Sequence, residues 1–172
     1  PIRIDPESGT LQAVTSFDHA AGVMAHEYGH LLGLRDLYDV EWTDNPSTPE
    51  NDSAGIGRWG LMGWGATGWP GALGPTSLSA WSRLRLGWAQ LHVVAAAEDS
   101  VCLPPVADRA DLVQIPLNVN EFYLVEYRQR DAFYDRGIPG EGLLIWHVQP
   151  SEHPFAPLVD LECADGRWRD EG

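Results

Sequence analysis

The sequence is poor in positive charge and has no long apolar run. Its 172 residues include 11 Lys and Arg against 25 Asp and Glu, which gives a formal net charge of −14. This excess of negative charge argues against nucleic acid and anionic membranes as partners, and it suits an exported protein or one that holds several cations. No apolar run approaches the roughly 20 residues that a membrane-spanning helix needs. We therefore expect no membrane span, and we also expect a monomer.

Cysteine is also scarce. Cys102 and Cys163 allow one disulfide across a long loop, which would contribute about 4 kcal/mol in the chain-entropy model, and two free thiols are the alternative. The sequence has no internal repeat, no low-complexity tract and no convincing domain boundary, so we predict one domain over residues 1–172. No basic-then-apolar leader opens the sequence, as in a mature or truncated product.

Residues 23–36 stand out because they contain the pattern His-Glu-x-x-His. Residues four apart on a helix lie about 40° apart around the axis and roughly 6 Å along it, so His26 and His30 can share one metal ion. Neutral imidazole is a natural zinc ligand. Glu27 lies beside the ligands, where it can take a proton from a metal-bound water. The pattern predicts two zinc ligands and a catalytic base; a buried helix with two hydrogen-bonded core histidines is the alternative.

A catalytic zinc usually has a third protein ligand and an open position for water. Gly33 is a good helix C-cap, since glycine enters the left-handed region without a Cβ clash. A chain that turns there can bring Asp36 back to the metal. The competing design takes a Glu from a later helix, but the next helix candidate, residues 76–86, contains no Glu, Asp or His. Asp36 is therefore the predicted third ligand.

The zinc helix is expected to begin at a cap formed by Thr15 or Ser16. Its apolar positions at helical spacing are Ala20, Val23, Met24, Tyr28 and Leu31.

Eight glycines crowd residues 55–74, and two segments there fit the dinucleotide pattern G-x-G-x-x-G. Neither segment lies between a strand and a helix, so we reject a nucleotide site. Met62 lies in a tight glycine turn, and one class of zinc peptidases places such a methionine beneath the metal as an apolar floor. A core methionine in a turn is the alternative.

The second half of the chain is predicted to be rich in strands. Thr76 can cap a helix over residues 77–86, which Gly87 would close. Glu126 and Arg128 lie on one face of a strand and are expected to form a structural ion pair. The predicted strands are 91–97, 111–117, 122–129 and 142–148.

Residues 36–53 form a polar loop that is dense in oxygen ligands, which hard cations such as calcium bind. Their spacing matches no EF-hand, so a calcium site and a solvated acidic loop are both open. The oxygen-bearing side chains are Asp36, Asp39, Glu41, Asp44, Asn45, Glu50, Asn51 and Asp52.

These features resemble the immune inhibitor A family of secreted zinc metallopeptidases, within the metzincin group. Four segments carry the resemblance: His26-Glu27-Tyr28-Gly29-His30 with Gly33, Asp36 and Tyr38-Asp39; Gly57-Arg58-Trp59-Gly60-Leu61-Met62; Leu78-Ser79-Ala80-Trp81 through Leu86-Gly87-Trp88; and Tyr123-Leu124-Val125-Glu126-Tyr127-Arg128 followed by Gly142-Leu143-Leu144-Ile145-Trp146-His147.

The resemblance implies an α+β fold, in which a metzincin-like zinc helix and Met-turn are followed by a helix and a β-rich C-terminal part. It also implies an exported zinc endopeptidase that acts on proteins or peptides and often carries calcium, with Met62 as the Met-turn residue. Metzincins usually place many tens of residues before the zinc helix, so we expect a fragment that lacks the upper subdomain and is also incomplete at the C-terminus. Some metzincins have an oxyanion-donating Tyr two residues after the Met, where this chain has Trp64.

Two other functions are open on the sequence alone. In a non-catalytic metal-stabilised domain, a fourth protein ligand such as His147 would close the metal site; a hydrogen-bonded core histidine is the other interpretation of His147. In a carbohydrate-binding module, solvent-exposed Trp59, Trp64 and Trp69 would stack on sugars, although these side chains could instead rigidify the glycine-rich loop.

Overall fold

The computed structural model describes residues 2–4, 11–13, 17–38, 55–70, 74–94, 100–149 and 159–162. Helices and a mixed sheet make up this part, so the predicted α+β class is confirmed. In chain order the elements are β1 (Ile2–Ile4), β2 (Leu11–Ala13), α1 (Phe17–Leu31), 3-10 turns at Gly57–Trp59 and Trp64–Thr67, α2 (Ala80–Arg85), β3 (Gln90–Val93), β4 (Asp111–Pro116), β5 (Phe122–Arg128), β6 (Gly142–Val148) and β7 (Val159–Leu161). No helix among the described residues is long and apolar enough to cross a bilayer.

Helix α1 packs through its smallest residues. Gly22, His26 and Gly29 are buried, and a Cβ atom on Gly22 would lie 2.0 Å from the carbonyl oxygen of Ala66 in the second 3-10 turn. The predicted helix is present, but the residues that indicated it lie on its exposed side: Ala20, Val23, Met24, Tyr28 and Leu31. The predicted N-cap residues lie outside the described part of the chain.

The long sheet has the strand order β3-β4-β5-β6-β7, with β3 parallel to β4 and all other neighbours antiparallel. Leu124 pairs with Trp146, which pairs with Leu161, and all three side chains are buried on one face. The four predicted strands are present: β6 has the predicted bounds, and the ends of the other three differ by a few residues, apart from residues 95–97, which the structure does not describe. A separate pair, β1 and β2, is antiparallel.

Helix α2 is shorter than predicted and begins later. Its N-cap is Ser79, whose hydroxyl accepts a hydrogen bond from the Ser82 N–H, and not Thr76. The segment before it is extended because its main chain bonds to the glycine-rich loop: the Thr76 N–H donates to Gly65, and the Ser77 carbonyl accepts from Leu61. The prediction of Gly87 beyond the end is correct, and its φ is 69°.

The predicted pair of Glu126 and Arg128 is the centre of a buried ion cluster. Arg128 donates from Nη2 to Glu126 Oε1 at 3.0 Å and from Nη1 to Asp135 Oδ1 at 3.1 Å. The same oxygen of Glu126 accepts from the Ala80 N–H and from Trp146 Nε1. The cluster therefore joins α2 and the β5–β6 loop to the sheet, and removing one partner would leave an unpaired buried charge at a cost of about 3–5 kcal/mol.

Candidate metal centre

Helix α1 presents its two histidines on the side that faces the glycine-rich loop. His26 is buried, His30 is half-buried and Glu27 is exposed. The two imidazole rings meet edge to face, with centroids 4.9 Å apart. The helical spacing therefore brings both rings to one place and leaves the Glu27 carboxylate accessible to solvent.

A Schellman turn ends α1 and redirects the chain. Gly33 has φ 87°, its N–H donates to His30, and the N–H of Leu34 donates to Gly29. Leu34 is buried just beyond the turn. The Leu37 N–H then donates to the Met62 carbonyl at 2.8 Å, which ties the segment after the helix to the glycine-rich loop.

Asp36 lies on this redirected segment, beside both histidines. Its Oδ1 is 3.0 Å from Nε2 of His26 and 3.4 Å from Nε2 of His30. The structure thus brings together the three residues that the sequence predicted as zinc ligands.

Main-chain carbonyls orient both imidazole rings. Nδ1 of His26 lies 2.8 Å from the Leu61 carbonyl oxygen, and Nδ1 of His30 lies 3.1 Å from that of Leu34. A carbonyl oxygen only accepts, so Nδ1 carries the hydrogen, and a neutral ring keeps a lone pair on Nε2. Both lone pairs face a carboxylate oxygen. Such an arrangement is stable only with a cation, which is either a metal ion between the three atoms or a second proton on the rings.

The spacing of the three atoms fits zinc. Tetrahedral ligands at about 2.0–2.1 Å from zinc lie roughly 3.3 Å from one another, close to the two observed separations. One ligand atom each of His26, Glu27 and His30 also lie within 4.8 Å of one another, which makes Glu27 an alternative third ligand. Asp36 fits the role because its oxygen lies 3.0 and 3.4 Å from the two Nε2 atoms, close to the separation of two tetrahedral zinc ligands.

Met62 is fully buried directly beneath the helix. A Cβ atom on Gly29 would lie 2.5 Å from the Met62 sulfur, so the missing side chain at Gly29 makes room for the thioether. Since Gly29 precedes His30, the methionine lies under the part of the helix that carries the second histidine, and its role as a Met-turn residue stays a prediction.

Tyr38 is a site residue to which the sequence analysis gave no role. Its ring stacks near that of His26, with centroids 6.4 Å apart. Burial raises the pKa of the Tyr38 phenol, and the negative charge of Asp36, a hydrogen bond to Asp36 and the charge of Glu27 raise it further. The phenol is therefore less readily deprotonated beside these carboxylates than a free tyrosine. Its position two residues after the predicted ligand was the available signal.

The features that favoured other functions lie elsewhere. His147 lies 2.8 Å from Glu121 and 3.5 Å from Glu162 at the sheet. It therefore does not join His26 and His30 as a fourth ligand of the metal site. Trp59 is buried and packs edge to face against half-buried Trp69, with ring centroids 5.2 Å apart. This packing agrees with tryptophans that rigidify the loop and does not match a row of exposed sugar platforms.

Two predictions cannot be compared with the structure. Cys102 is exposed, and Cys163 lies outside the described residues, so their pairing stays a prediction. Residues 39–54, with most of the oxygen ligands that suggested calcium, also lie outside the described residues.

Comparison with known proteins places the chain among metallopeptidases. The model of the family described as "Immune inhibitor A peptidase M6, catalytic domain" matches residues 9–95. Two curated relatives, each named Pre-pro-metalloprotease PrtV, come from Vibrio cholerae serotype O1 strains M66-2 and El Tor Inaba N16961. Each is 38% identical over 75 residues, which cover 43% of this chain and 7% of the relative.

The chain therefore corresponds to a small part of the length of these relatives, and no solved structure matches it. The family match nevertheless covers half of the chain, including every residue of the metal centre described above. This chain belongs to the immune inhibitor A family of metallopeptidases.

Proposed function

We propose that this chain carries the catalytic centre of an exported, zinc-dependent endopeptidase of the metzincin group that cleaves peptide bonds in proteins. The observation that supports it most is the convergence of two imidazole lone pairs and a carboxylate oxygen on one point, where only a cation makes the arrangement favourable. The name of the Vibrio relatives, Pre-pro-metalloprotease, supports both export and proteolysis.

His26, His30 and Asp36 would hold the zinc ion. When bound, zinc supplies a Lewis acid that polarises the scissile carbonyl and lowers the pKa of a coordinated water toward about 7. Tyr38, whose phenol interacts with Asp36, would hold the carboxylate in its ligating orientation. Met62 would form the apolar floor below the site.

Glu27 would act as the general base. It follows His26 directly, is exposed, and lies close to both histidines. A carboxylate there can take the proton of the attacking water and pass it to the leaving amine. In the alternative with Glu27 as the third ligand, the same carboxylate could not serve as a free base, so one substitution distinguishes the two.

The test is Glu27→Gln in the full chain, with Glu141→Gln as a matched control at an exposed carboxylate whose partner is the Arg130 N–H. We expect Glu27→Gln to keep one zinc per chain by elemental analysis and to lose casein hydrolysis by about 10²–10⁴-fold. The control should keep both. Loss of zinc in Glu27→Gln would make Glu27 a ligand, and unchanged hydrolysis would reject its role as the base.

A further inference from the structure

A cleft of about 510 Å³ lies next to the metal centre and is lined mainly by apolar side chains. Ala25 of α1 and Leu61, whose carbonyl holds His26, form part of its wall. Ala25 and Glu27 are two residues apart on the helix and thus about 200° apart around its axis. The cleft therefore lies on the opposite flank of α1 from the proposed base and is not the space in which that base acts.

One cation faces this apolar cleft without a counter-ion of its own. Arg83 of α2 lines the cleft and donates from Nε to the Leu78 carbonyl at 3.1 Å. Within the described part of the chain, its two terminal nitrogens make no hydrogen bond and no ion pair. A guanidinium presents these terminal N–H groups as a fork that matches a carboxylate, so its main recognition capacity is unused.

The nearby acids do not satisfy Arg83. Asp135 accepts hydrogen bonds from Ser77 and Arg128, and Glu126 accepts from Arg128. Burial lowers the pKa of the Arg83 guanidinium despite the attraction of these two carboxylates, and Arg128 lowers it further. The loss of hydration around Arg83 is therefore not fully compensated, and an added carboxylate would compensate it.

Aromatic rings surround the rest of the opening. Trp88, Phe133 and Tyr134 line the cleft, and each is more than half exposed. Arg136 lies over the Phe133 ring at 5.1 Å, which places a second positive charge at the rim. Asp135 also lines the cleft, but its negative charge is paired with Arg128. Aromatic side chains bind large apolar groups, and the two cations favour an anion.

We propose that this cleft binds the C-terminal residue of a peptide, with its α-carboxylate on the Arg83 fork and a large apolar side chain against the three aromatic rings. A peptide is the expected source of this ligand because the chain belongs to a peptidase family. Binding does not require the proposed metal chemistry, so the two proposals can fail separately.

The test measures binding of N-acetyl-L-phenylalanine and of its uncharged amide to the zinc-loaded full chain by NMR titration. We expect the carboxylate to bind at least about 10-fold more tightly than the amide. Arg83→Gln should abolish this preference. Arg85→Gln is the matched control because Arg85 belongs to the same helix but is exposed and lies over Trp81; it should keep the preference.

A second variant separates cleft binding from misfolding of Arg83→Gln. Ala107 lines the cleft and is exposed, so Ala107→Trp should block the binding of both compounds while leaving Arg83 in place. A preference that survives Arg83→Gln would put the carboxylate elsewhere, for example on the metal, and would overturn the proposal. Decanoate binding as tightly as the phenylalanine derivative would also overturn it, in favour of an alkyl carboxylate.

Discussion

At the scale of single residues, His26 uses its two nitrogens for different purposes. Nδ1 bonds to the Leu61 carbonyl, and Nε2 faces Asp36. His30 repeats this division with the Leu34 carbonyl. Because Nδ1 of each ring donates to a main-chain carbonyl, both rings are held in the tautomer that leaves Nε2 free to bind a metal ion.

The third ligand can be tested by substitution. Asp36→Ala should lower zinc affinity by about 100-fold or more, since it removes the oxygen between the two Nε2 atoms. Asp39→Ala removes a neighbouring carboxylate outside the described residues and should change the affinity much less. Competition with a chromophoric chelator measures both constants, and the opposite ranking would make Asp39 the ligand.

Residue spacing predicts some of these contacts and not others. The four-residue interval between His26 and His30 has one outcome on a helix, so their meeting follows from the sequence. The approach of Asp36 also depends on the direction in which the chain leaves the turn at Gly33. The glycine allows a left-handed turn but does not fix where the following residues go. The interaction of Tyr38 with Asp36 depends on the whole segment being tied to Met62, which the two-residue interval between them does not predict by itself.

At the scale of elements, the position of α1 is set by its glycines. Gly22 and Gly29 let the helix approach the carbonyl of Ala66 and the side chain of Met62. Periodicity identified the helix correctly but indicated the wrong face, because apolar residues normally mark the buried side and here glycines and a histidine do. The start of α2 was also predicted too early, because a tertiary contact overrides the local pattern. Residues 76 and 77 bond to the glycine-rich loop and stay extended.

This close packing gives a prediction about stability. Gly22→Ala should lower the free energy of unfolding by about 1–3 kcal/mol, because its Cβ would meet main-chain atoms that cannot rotate away. Gly140→Ala is the control, since a Cβ there has no neighbour within 4 Å. Urea unfolding followed by tryptophan fluorescence compares the two. Equal midpoints would show that α1 does not rest on the second 3-10 turn.

At the scale of the whole molecule, the metal centre and the sheet are joined by polar groups as well as by the apolar core. The segment before α2 bonds to the glycine-rich loop on one side, through Leu61 and Ser77. On the other side Ser77 bonds to Asp135, which belongs to the buried ion cluster. The sequence predicted the pair of Glu126 and Arg128, but not the contact of Arg128 with Asp135, which lies seven residues later and depends on how the β5–β6 loop folds back.

Metal removal should therefore affect the stability of the whole fold. A ligand that binds only the folded state stabilises it by about 4 kcal/mol when its free concentration is about 1,000-fold above Kd. We expect a chelator to lower the thermal midpoint of the zinc-loaded chain, and His26→Ala to remove this dependence on chelator. An unchanged midpoint in the unsubstituted chain would mean that the three side chains hold no metal in solution.

The carbonyls of Leu61 and Leu34 have a consequence for genetics. Every amino acid supplies the same acceptor at these two positions, so no codon change can delete the groups that aim the imidazoles. Random mutagenesis would identify the two histidines and the aspartate as essential, but it would not detect the two carbonyl groups that orient the imidazole rings. Only an amide-to-ester replacement in the backbone, which makes the carbonyl a weaker acceptor, would expose that contribution.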